Sequence, residues 1–529
     1  MRYFVLIIIV FFSNINFTQS FDWVKSISCN EKVTVLEVLT ISPASFLISG
    51  NFEGSLNIDS QIISSMGDND FFISKHDNNG NLIWIKSFGG FEDVEINDIS
   101  ISHNKDIFVC GTFEGSILID TVQLINSSDK NAFIARLDSN CNLKWVKNIE
   151  SSSDVEANVL EIDTLNDKLF FVASYEDNVS FDSTFLTAFG DNSLLLSSFN
   201  LDGTYQWGKE ISCQDEIKAS SLKLDSFNNI YISGSFEGNI LFQNNVILNS
   251  SNKDLFIFKT DTLGNLIWSK TIGSSEDVES TNLYVLDTTI FIIGKFSGVA
   301  NFQNTDLTSL GEEDGFILSL TTNNYENWVN TFASDGDVSP NDMFVDSTGK
   351  IFVTGVISSS TNFDNILITN NSQDDLFICS YDFNGSVIWA KGIGGTSSVI
   401  GISIAPIAQN KVLISGVYEE SAFFDSITVS SLNEEDVFFG IIDTEIFNLN
   451  IKKNKNPSNF MVYPNPSSGK ISILSELSNK ISYQIFDLSG KFISYGEIDS
   501  KDSQIDISNL TPGTYFVSLN NSWVSVIKQ

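Results

Sequence analysis

A tryptophan returns at nearly constant intervals through most of this chain. Trp23, Trp84, Trp145, Trp207, Trp268, Trp328 and Trp389 follow one another in almost identical steps. The local context also returns, as in Leu82-Ile83-Trp84-Ile85-Lys86, Lys144-Trp145-Val146-Lys147 and Ile388-Trp389-Ala390-Lys391. A fixed period of this length belongs to a repeat architecture, in which one supersecondary unit is copied and each copy buries its apolar face against the next.

Further marks recur in register. Gly50, Gly111, Gly234, Gly355 and Gly416 stand at one equivalent place past their tryptophans and Gly294 stands one position earlier, while Ala173 takes the place in the third unit. Later in each unit comes an Asp-x-Phe-Ile type run, led in turn by Asp70, Asn131, Asn192, Asp254, Asp314, Asp375 and Asp436. Turns such as Asp77-Asn78-Asn79-Gly80 and Asp261-Thr262-Leu263-Gly264 then lead to the next tryptophan. In them Asp bonds back to nearby backbone and Gly supplies the positive φ of a tight hairpin. The runs between turns are short and rich in Ile, Val, Phe and Thr, which reads as strands, and no sustained helical period interrupts them. Several are apolar at every position, such as Ile290-Phe291-Ile292-Ile293, so their sheets must be covered on both faces. Four strands and a small hairpin per period describe one blade of a β-propeller. The seventh unit leaves the pattern after Asp443, and Asn450 stands where an eighth tryptophan is due. The missing strand is at the other end, around Trp23. The sequence therefore predicts a seven-bladed β-propeller over residues 21–443, closed by its first strand so that no sheet edge is left open.

The apolar strand that this glycine ends, the Asp-x-Phe-Ile strand and the Gly-x-x-x-Trp hairpin together resemble the secreted bacterial β-propeller repeat family. That resemblance implies an all-β propeller and an extracellular setting, and no activity. Ala173 and Asn324 depart from the pattern in units three and six.

Both ends of the chain carry address information. Arg2, the apolar run 4–12, and Thr18 and Ser20 at the −3 and −1 positions describe a signal peptide over residues 1–20, cut before Phe21. Its apolar run is too short to span a bilayer, and no later stretch is long enough, so no transmembrane segment is expected after signal removal. Residues 444–459, with Lys452, Lys453, Lys455 and Pro457, read as a polar linker. From Phe460 the chain passes through Tyr463-Pro464-Asn465-Pro466, Asp487-Leu488-Ser489-Gly490 and Leu510-Thr511-Pro512-Gly513-Thr514-Tyr515. Short alternating strands over 460–529 predict a small immunoglobulin-like β-sandwich. These motifs resemble the type A C-terminal sorting domain of type IX secretion cargo. The resemblance implies a partner, the type IX machinery, with export through the periplasm, removal of the tail, and residence at the cell surface or release.

Composition narrows the function classes. Sixty-six acidic against 29 basic residues give a formal charge of −37, which tells against nucleic acid and anionic membranes. Arg2 and Arg136 are the only arginines, so a cluster of guanidinium forks for a carboxylate or phosphate, as sialidase-type propellers need, is not expected. Five cysteines without a C-x-x-C pair suggest neither a disulfide framework nor a zinc site. His76 and His103 are the only histidines and do not recur, so no Ser-His-Asp triad is expected.

Asp93, Asp154, Asp277 and Asp337 share one place after their tryptophans and Asp215 comes one position earlier, with Ser398 in the seventh unit. In a propeller these positions form one ring, whose hard oxygens would suit calcium. The same positions also suit carboxylates that each fasten their own loop to backbone amides, the reading favoured here. The tryptophans could offer carbohydrate platforms, but full recurrence points to blade packing. The functional expectation is a non-enzymatic, secreted or cell-surface binding protein of the adhesion type, with a glycan or protein ligand. The alternatives are a glycan-active hydrolase or lyase using carboxylates at the propeller mouth, and a structural surface component.

Overall fold

A computed structural model describes residues 19–126, 129–182, 184–188, 190, 192–242, 245–431, 435–444, 460–475, 481–487, 492–498, 502–519 and 522–529. Residues 1–18 of the expected signal peptide and 445–459 of the expected linker lie outside the described residues. The chain divides into two compact units, one through Ile446 and one from Phe447. The described residues of both are strands and turns without a helix.

The first repeat shows the plan. Val33–Ser42 is an inner strand, Ser45–Ile58 pairs with it, Gln61–Asp77 is third, and Leu82–Phe88 is outermost, each antiparallel to its neighbour. The same four-strand order follows for sets whose inner strands are Val94–Ile101, Val155–Asp163, Ile217–Leu224, Val278–Leu286, Val338–Val345 and Val399–Ala408. Each inner strand packs beside the next, and Val399–Ala408 packs beside Val33–Ser42. The architecture is an all-β propeller. Its last set holds Val399–Ala408, Lys411–Tyr418 and Asp436–Asp443, and takes its outer strand, Ser20–Cys29, from the start of the chain. Trp23 pairs with Ile441, Lys25 with Phe439 and Ile27 with Val437. Cys29 N donates to Asp436 Oδ1 at 3.2 Å, as Gly90 N donates to Asp70 Oδ1 at 3.1 Å inside the first set. The first strand therefore makes the bond that a covalently continuous outer strand makes elsewhere.

Sheets stacked face to face explain the apolar runs. Ile107–Phe113 and Asp375–Tyr381 are buried at every position, and the cores lie between successive sheets. One core joins Ile27, Val437 and Phe439 to Phe46, Ile48 and Phe72. A second interlock runs around the perimeter, where the end of each outer strand pairs with the small hairpin of the next set. Ser28 pairs with Asn57, Glu150 with Ser180 and Ser212 with Leu241; Gly89, Ser274, Ala333 and Gly395 bridge to Leu118, Ala300, Asn362 and Ala422.

The recurrent glycine has a different cause from the strand end that its sequence context suggests. The strand continues past it, from Ile107 through Gly111 to Phe113. Every inner strand carries a β-bulge opposite this point, placing one extra residue at Leu36, Asn97, Asn158, Ser220, Thr281, Asn341 and Ile402. The bulge pushes a carbonyl towards the second strand. A Cβ at Gly50 would lie 2.0 Å from Thr34 O, and one at Gly234 would lie 2.0 Å from Lys218 O. At these two glycines a side chain does not fit against a backbone that close, whereas the third set pairs Ala173 with Ala157 beside its own bulge and accommodates a methyl group.

The C-terminal unit pairs Phe460–Tyr463, Lys470–Ser475 and Asp502–Asp506 in one sheet, and Phe492–Ile498, Ile481–Asp487, Gly513–Leu519 and Ser522–Lys528 in another. Ile471, Ile473, Ile485, Ile505, Val517 and Val526 form its core.

Candidate functional site

Outside the bore, recurrent polar residues serve the joints between blades. Each tryptophan lies on an outer strand, and four of the indoles bond to the hairpin turn of the following set, whereas the buried Trp84 Nε1 has no partner among the described residues. Trp23 Nε1 donates to Asn78 O at 3.3 Å, Trp145 to Leu201 O at 3.0 Å, Trp268 to Thr322 O at 3.1 Å and Trp328 to Phe383 O at 3.2 Å. The indole also covers the turn glycine: a Cβ at Gly80 (φ +76°) would meet Trp23 at 2.7 Å. The lysine two residues on bonds at the same joints, as Lys25 Nζ does with Asn81 Oδ1 at 2.9 Å and Lys86 Nζ with Cys141 O at 2.8 Å. The Trp-x-Lys signature is thus an interblade clamp. Trp145→Ala should cost about 2–4 kcal/mol, since a partly buried indole and its hydrogen bond are lost together. Urea unfolding checks this; unchanged stability with lost glycan binding would make Trp145 a contact residue instead.

The five aspartates singled out from sequence fall beside the inner strands. Asp93 Oδ1 accepts from Asn69 N at 3.2 Å, Asp154 Oδ1 from Lys130 N at 3.1 Å, Asp277 Oδ1 from Lys253 N at 3.2 Å and Asp337 Oδ1 from Glu313 N at 3.1 Å. Their carbonyls accept from the second strand of their own set, as in Glu114 N to Asp93 O at 2.9 Å. In the fourth set Glu216, not Asp215, supplies that carbonyl, to Glu237 N at 2.8 Å. Ser398 keeps the carbonyl bond, from Glu419 N at 3.0 Å, but its side chain reverses the other one, donating from Oγ to Asp374 Oδ2 at 2.9 Å. Among the described residues no three His, Cys, Asp or Glu side chains converge as metal ligands.

The remaining sequence candidates are also placed. His76 is fully buried, with Nε2 2.9 Å from Ser74 Oγ and Nδ1 3.3 Å from Gly80 O. Its ring is stacked on Phe46 and tilted against Phe439, and burial lowers its pKa to about 4. This Ser–His contact is closed to any substrate. His103 is exposed in a loop. Arg136 donates from Nε to Asp106 Oδ2 at 2.9 Å and from Nη1 to Leu201 O at 2.7 Å, so its fork is already engaged. All five cysteines are thiols and are buried.

A polar cluster that the repeat marks do not announce lies in the bore. The residues after the bulges, Glu37, Asp98, Val159, Ser221, Asn282, Asp342 and Ser403, line a cavity of about 510 Å³ together with Lys223. Much of this belt is stitched from one set to the next. Asp98 Oδ2 accepts from Leu160 N at 2.7 Å. Ser221 Oγ donates to Asn282 Oδ1 at 3.2 Å, and Asn282 Nδ2 donates to Asp342 Oδ1 at 2.5 Å. Asp342 Oδ2 accepts from Ile404 N at 2.8 Å and Ser403 Oγ at 2.9 Å, and Ser403 Oγ accepts from Val38 N at 3.2 Å. Lys223 Nζ donates to Glu161 Oε2 at 3.0 Å.

The Lys223 side chain keeps 38% exposure, but that exposure faces the bore, where protein stands around it and screening is weaker than on an outer surface. Burial pushes Asp98 up to about 7, and its bonds from Leu160 N and Ile99 N together with Lys223 hold it from rising further. Glu37 is raised by burial and by the charges of Asp98 and Asp342, and Asp342 is raised by burial. Burial opposes the charge on Lys223, but Glu161, Asp98 and Glu37 outweigh it and its pKa rises.

These shifts carry a sign. A carboxyl whose folded pKa is raised binds its proton more tightly folded than unfolded, so its stabilising contribution is lost as pH rises towards the folded value. For Asp98 the window runs from about 4 to about 7. Asp98→Asn, which cannot ionise, should therefore gain melting temperature relative to wild type as pH is raised from about 5 to 8. Taking the difference removes the opposite contribution of His76, whose lowered pKa loses stability as pH falls. A constant difference across that range would show that Asp98 does not titrate there.

In the C-terminal unit the Tyr-Pro-Asn-Pro motif ties the first strand to the last. Asn465 Nδ2 donates to Ser525 O at 2.7 Å, and Ile527 N donates to Asn465 Oδ1 at 2.7 Å. Ser467 N donates to Ile527 O at 2.8 Å and Gln529 N to Ser467 O at 2.9 Å. Tyr515 Oη donates to Thr511 O at 2.9 Å, which explains the Leu-x-x-Gly-x-Tyr element. A family profile described as "Secretion system C-terminal sorting domain" matches residues 461–529. The tail is a type IX sorting domain. It engages the type IX secretion system, and the chain is therefore cargo destined for the cell surface or the extracellular space.

No curated protein matches the sequence. Among solved structures, YCF48 bound to D1 peptide is similar at 9% identity and a TM-score of 0.38, covering 80% of this chain and 96% of that one. Drosophila Semaphorin 2a is similar at 8% identity and 0.40, covering 97% and 99%. Phage phi92 endosialidase is similar at 10% identity and 0.38, covering 93% and 77%. At such scores these likenesses add nothing to the fold, which rests on the strand pairings.

Proposed function

We propose that the chain is an exported binding propeller of the adhesion type, made with a signal peptide over residues 1–20 that is cut before Phe21. The sorting tail is removed after passage, and the propeller is then displayed or released. Support for binding comes from the bore. There the belt residues differ from set to set, unlike the clamp residues, and Glu37, Asp98 and Asp342 line a cavity open to a ligand. Polar groups in a concavity suit ligands rich in hydroxyl or amino groups, such as glycans or protein side chains.

A glycan and protein array probed with residues 21–529, with and without calcium, tests the reading. A defined ligand whose binding is lost in Glu37→Gln and Asp98→Asn supports it; binding unaffected by both variants removes the bore from the function. One observation favours the second reading, a glycan-active hydrolase or lyase. Carboxyls held at different pKa values, as Asp98 and its neighbours are, are what acid and base roles require. Incubating an array hit with the protein and looking for shortened glycan separates binding from turnover.

A further inference from the structure

The ring closes on a strand whose second residue sits against a carboxylate. Phe21 N donates to Asp425 Oδ2 at 3.0 Å, between positions far apart in the chain. Asp425 lies at the tip of the hairpin Ser421–Phe424 and Ile427–Ser430. The Phe21 side chain is 7% exposed and meets Phe424 edge-on, with ring centroids 5.0 Å apart. Lys391 Nζ, from the outer strand of the sixth set, bonds to Asp425 Oδ1 and, at 2.6 Å, to Gln19 O. Upstream of Phe21 the fit is mixed, with Ser20 still paired to Asp443. Gln19 is 5% exposed, yet its side-chain amide nitrogen has no partner among the described residues, an arrangement that costs free energy in a folded chain.

We propose that cleavage between Ser20 and Phe21 makes the new N-terminus the latch of the propeller, its α-ammonium forming an ion pair with Asp425 that the uncut chain cannot form. This rests on the signal-peptide reading above. The step is a hydrolysis by a signal-removing endopeptidase. Water adds across the Ser20–Phe21 peptide bond, its hydroxyl goes to the Ser20 carbonyl carbon, and the released Phe21 amine takes a proton. A neutral amide donor facing Asp425 becomes a cation at the same place, and the unpartnered Gln19 amide leaves with the peptide. The other charges around it are Lys391 on the neighbouring outer strand, Lys411 and Asp443 on strands of the seventh set, and Asp22 on the same strand, itself paired with Lys411. Asp425, Asp443 and Asp22 outnumber Lys391 and Lys411 around this site, so the added cation is favoured although Lys391, on the same carboxylate, opposes it. Closure of the ring is thereby strengthened only after export has begun.

The test compares residues 21–529 starting at Phe21 with the same chain preceded by Gln19-Ser20, each also as Asp425→Asn. Amide hydrogen exchange of Trp23 to Ile27, read at matched pH, reports opening of the closing strand. The Phe21-start chain should be protected about fivefold more at pH 6–7, the size expected of one exposed-to-half-buried ion pair. An α-amino group ordinarily titrates near about 8, and pairing raises it, so the advantage should vanish above about pH 9–10. It should also vanish in Asp425→Asn. Should that variant fail to fold, N-terminal acetylation of the Phe21-start chain gives the same loss without touching Asp425. Equal protection in the two parent chains, or an advantage surviving acetylation, overturns the latch. N-terminal sequencing of the exported protein separately tests the cut, and any start other than Phe21 overturns that reading first.

Discussion

Cells making this protein without residues 460–529 are expected to retain the propeller in the periplasm, with little or none outside. The tail has its own core of Ile471, Ile473, Ile485, Ile505, Val517 and Val526 and forms a compact unit apart from the propeller, so its loss should leave the propeller's fold intact. It also matches the sorting-domain family over nearly its full length, so export is the function removed. Fused behind a signal-bearing reporter, the same residues should carry the reporter outside. A finer variant separates folding from recognition. Asn465→Ala removes both bonds to the last strand, which should loosen the tail and lower export without abolishing synthesis. Immunoblots of periplasm, membrane and medium are the measurement. Tailless propeller found outside at the normal level would overturn the assignment.

The clamp residues were legible because the repeat uses them at most of its joints. A tryptophan that covers the next turn, a lysine that bonds at the same joint and a glycine under the indole recur for one mechanical reason, and recurrence is visible in a single sequence. The glycine of the second strand was equally visible, but its cause was not. A bulge leaves no residue type behind, only a carbonyl at 2.0 Å from where Gly50 would carry a Cβ. The bore cluster was hidden for the opposite reason. Glu37, Asp98 and Asp342 stand at one equivalent place past Trp23, Trp84 and Trp328, but that place holds Val159, Ser221, Asn282 and Ser403 in other sets. The recurring feature is the position, and the chemistry changes around the ring. A search for recurring residue types passes over a site of that kind. Aligning the repeats by register and asking where polar identity varies would have found it.

The conspicuous acids illustrate the same distinction. Asp93, Asp154, Asp277 and Asp337 stand out because they repeat, and each bonds the backbone of the preceding set. Asp77 and Asp261 repeat because each caps its own turn. Burial would raise Asp77, but the Asn81 side chain and the backbone amides of Asn81 and Asn79 outweigh it and lower its pKa. Repetition in a ring of equivalent sheets marks what every sheet needs. A binding or reacting group is needed once, so its signature is a departure from the repeat at a place the fold exposes.

Deleting residues 21–29 should be strongly damaging to the propeller itself. The segment contributes Trp23, which clamps the first turn through Asn78 O, and Ile27 and Cys29, which belong to the core shared by the first and last sets. It also supplies the hydrogen bond from Cys29 N to Asp436. Without it, Asp436–Asp443, whose residues are buried from Asp436 through Ile442, would present an apolar strand with unpaired backbone groups along one edge. Such an edge templates pairing with other chains. The deletion variant is expected to lose most of its monomer to aggregates at concentrations where the intact protein stays monomeric, as size-exclusion chromatography with light scattering would show. A synthetic peptide covering residues 21–29 should restore part of the monomer by adding back the strand, since the groove it leaves is defined by the backbone pairings that run from Phe21↔Ile442 to Ile27↔Val437. A monomeric deletion variant with an unchanged unfolding midpoint would mean that the ring does not depend on its first strand, and the pairing of Trp23 with Ile441 would then have to be incidental to closure.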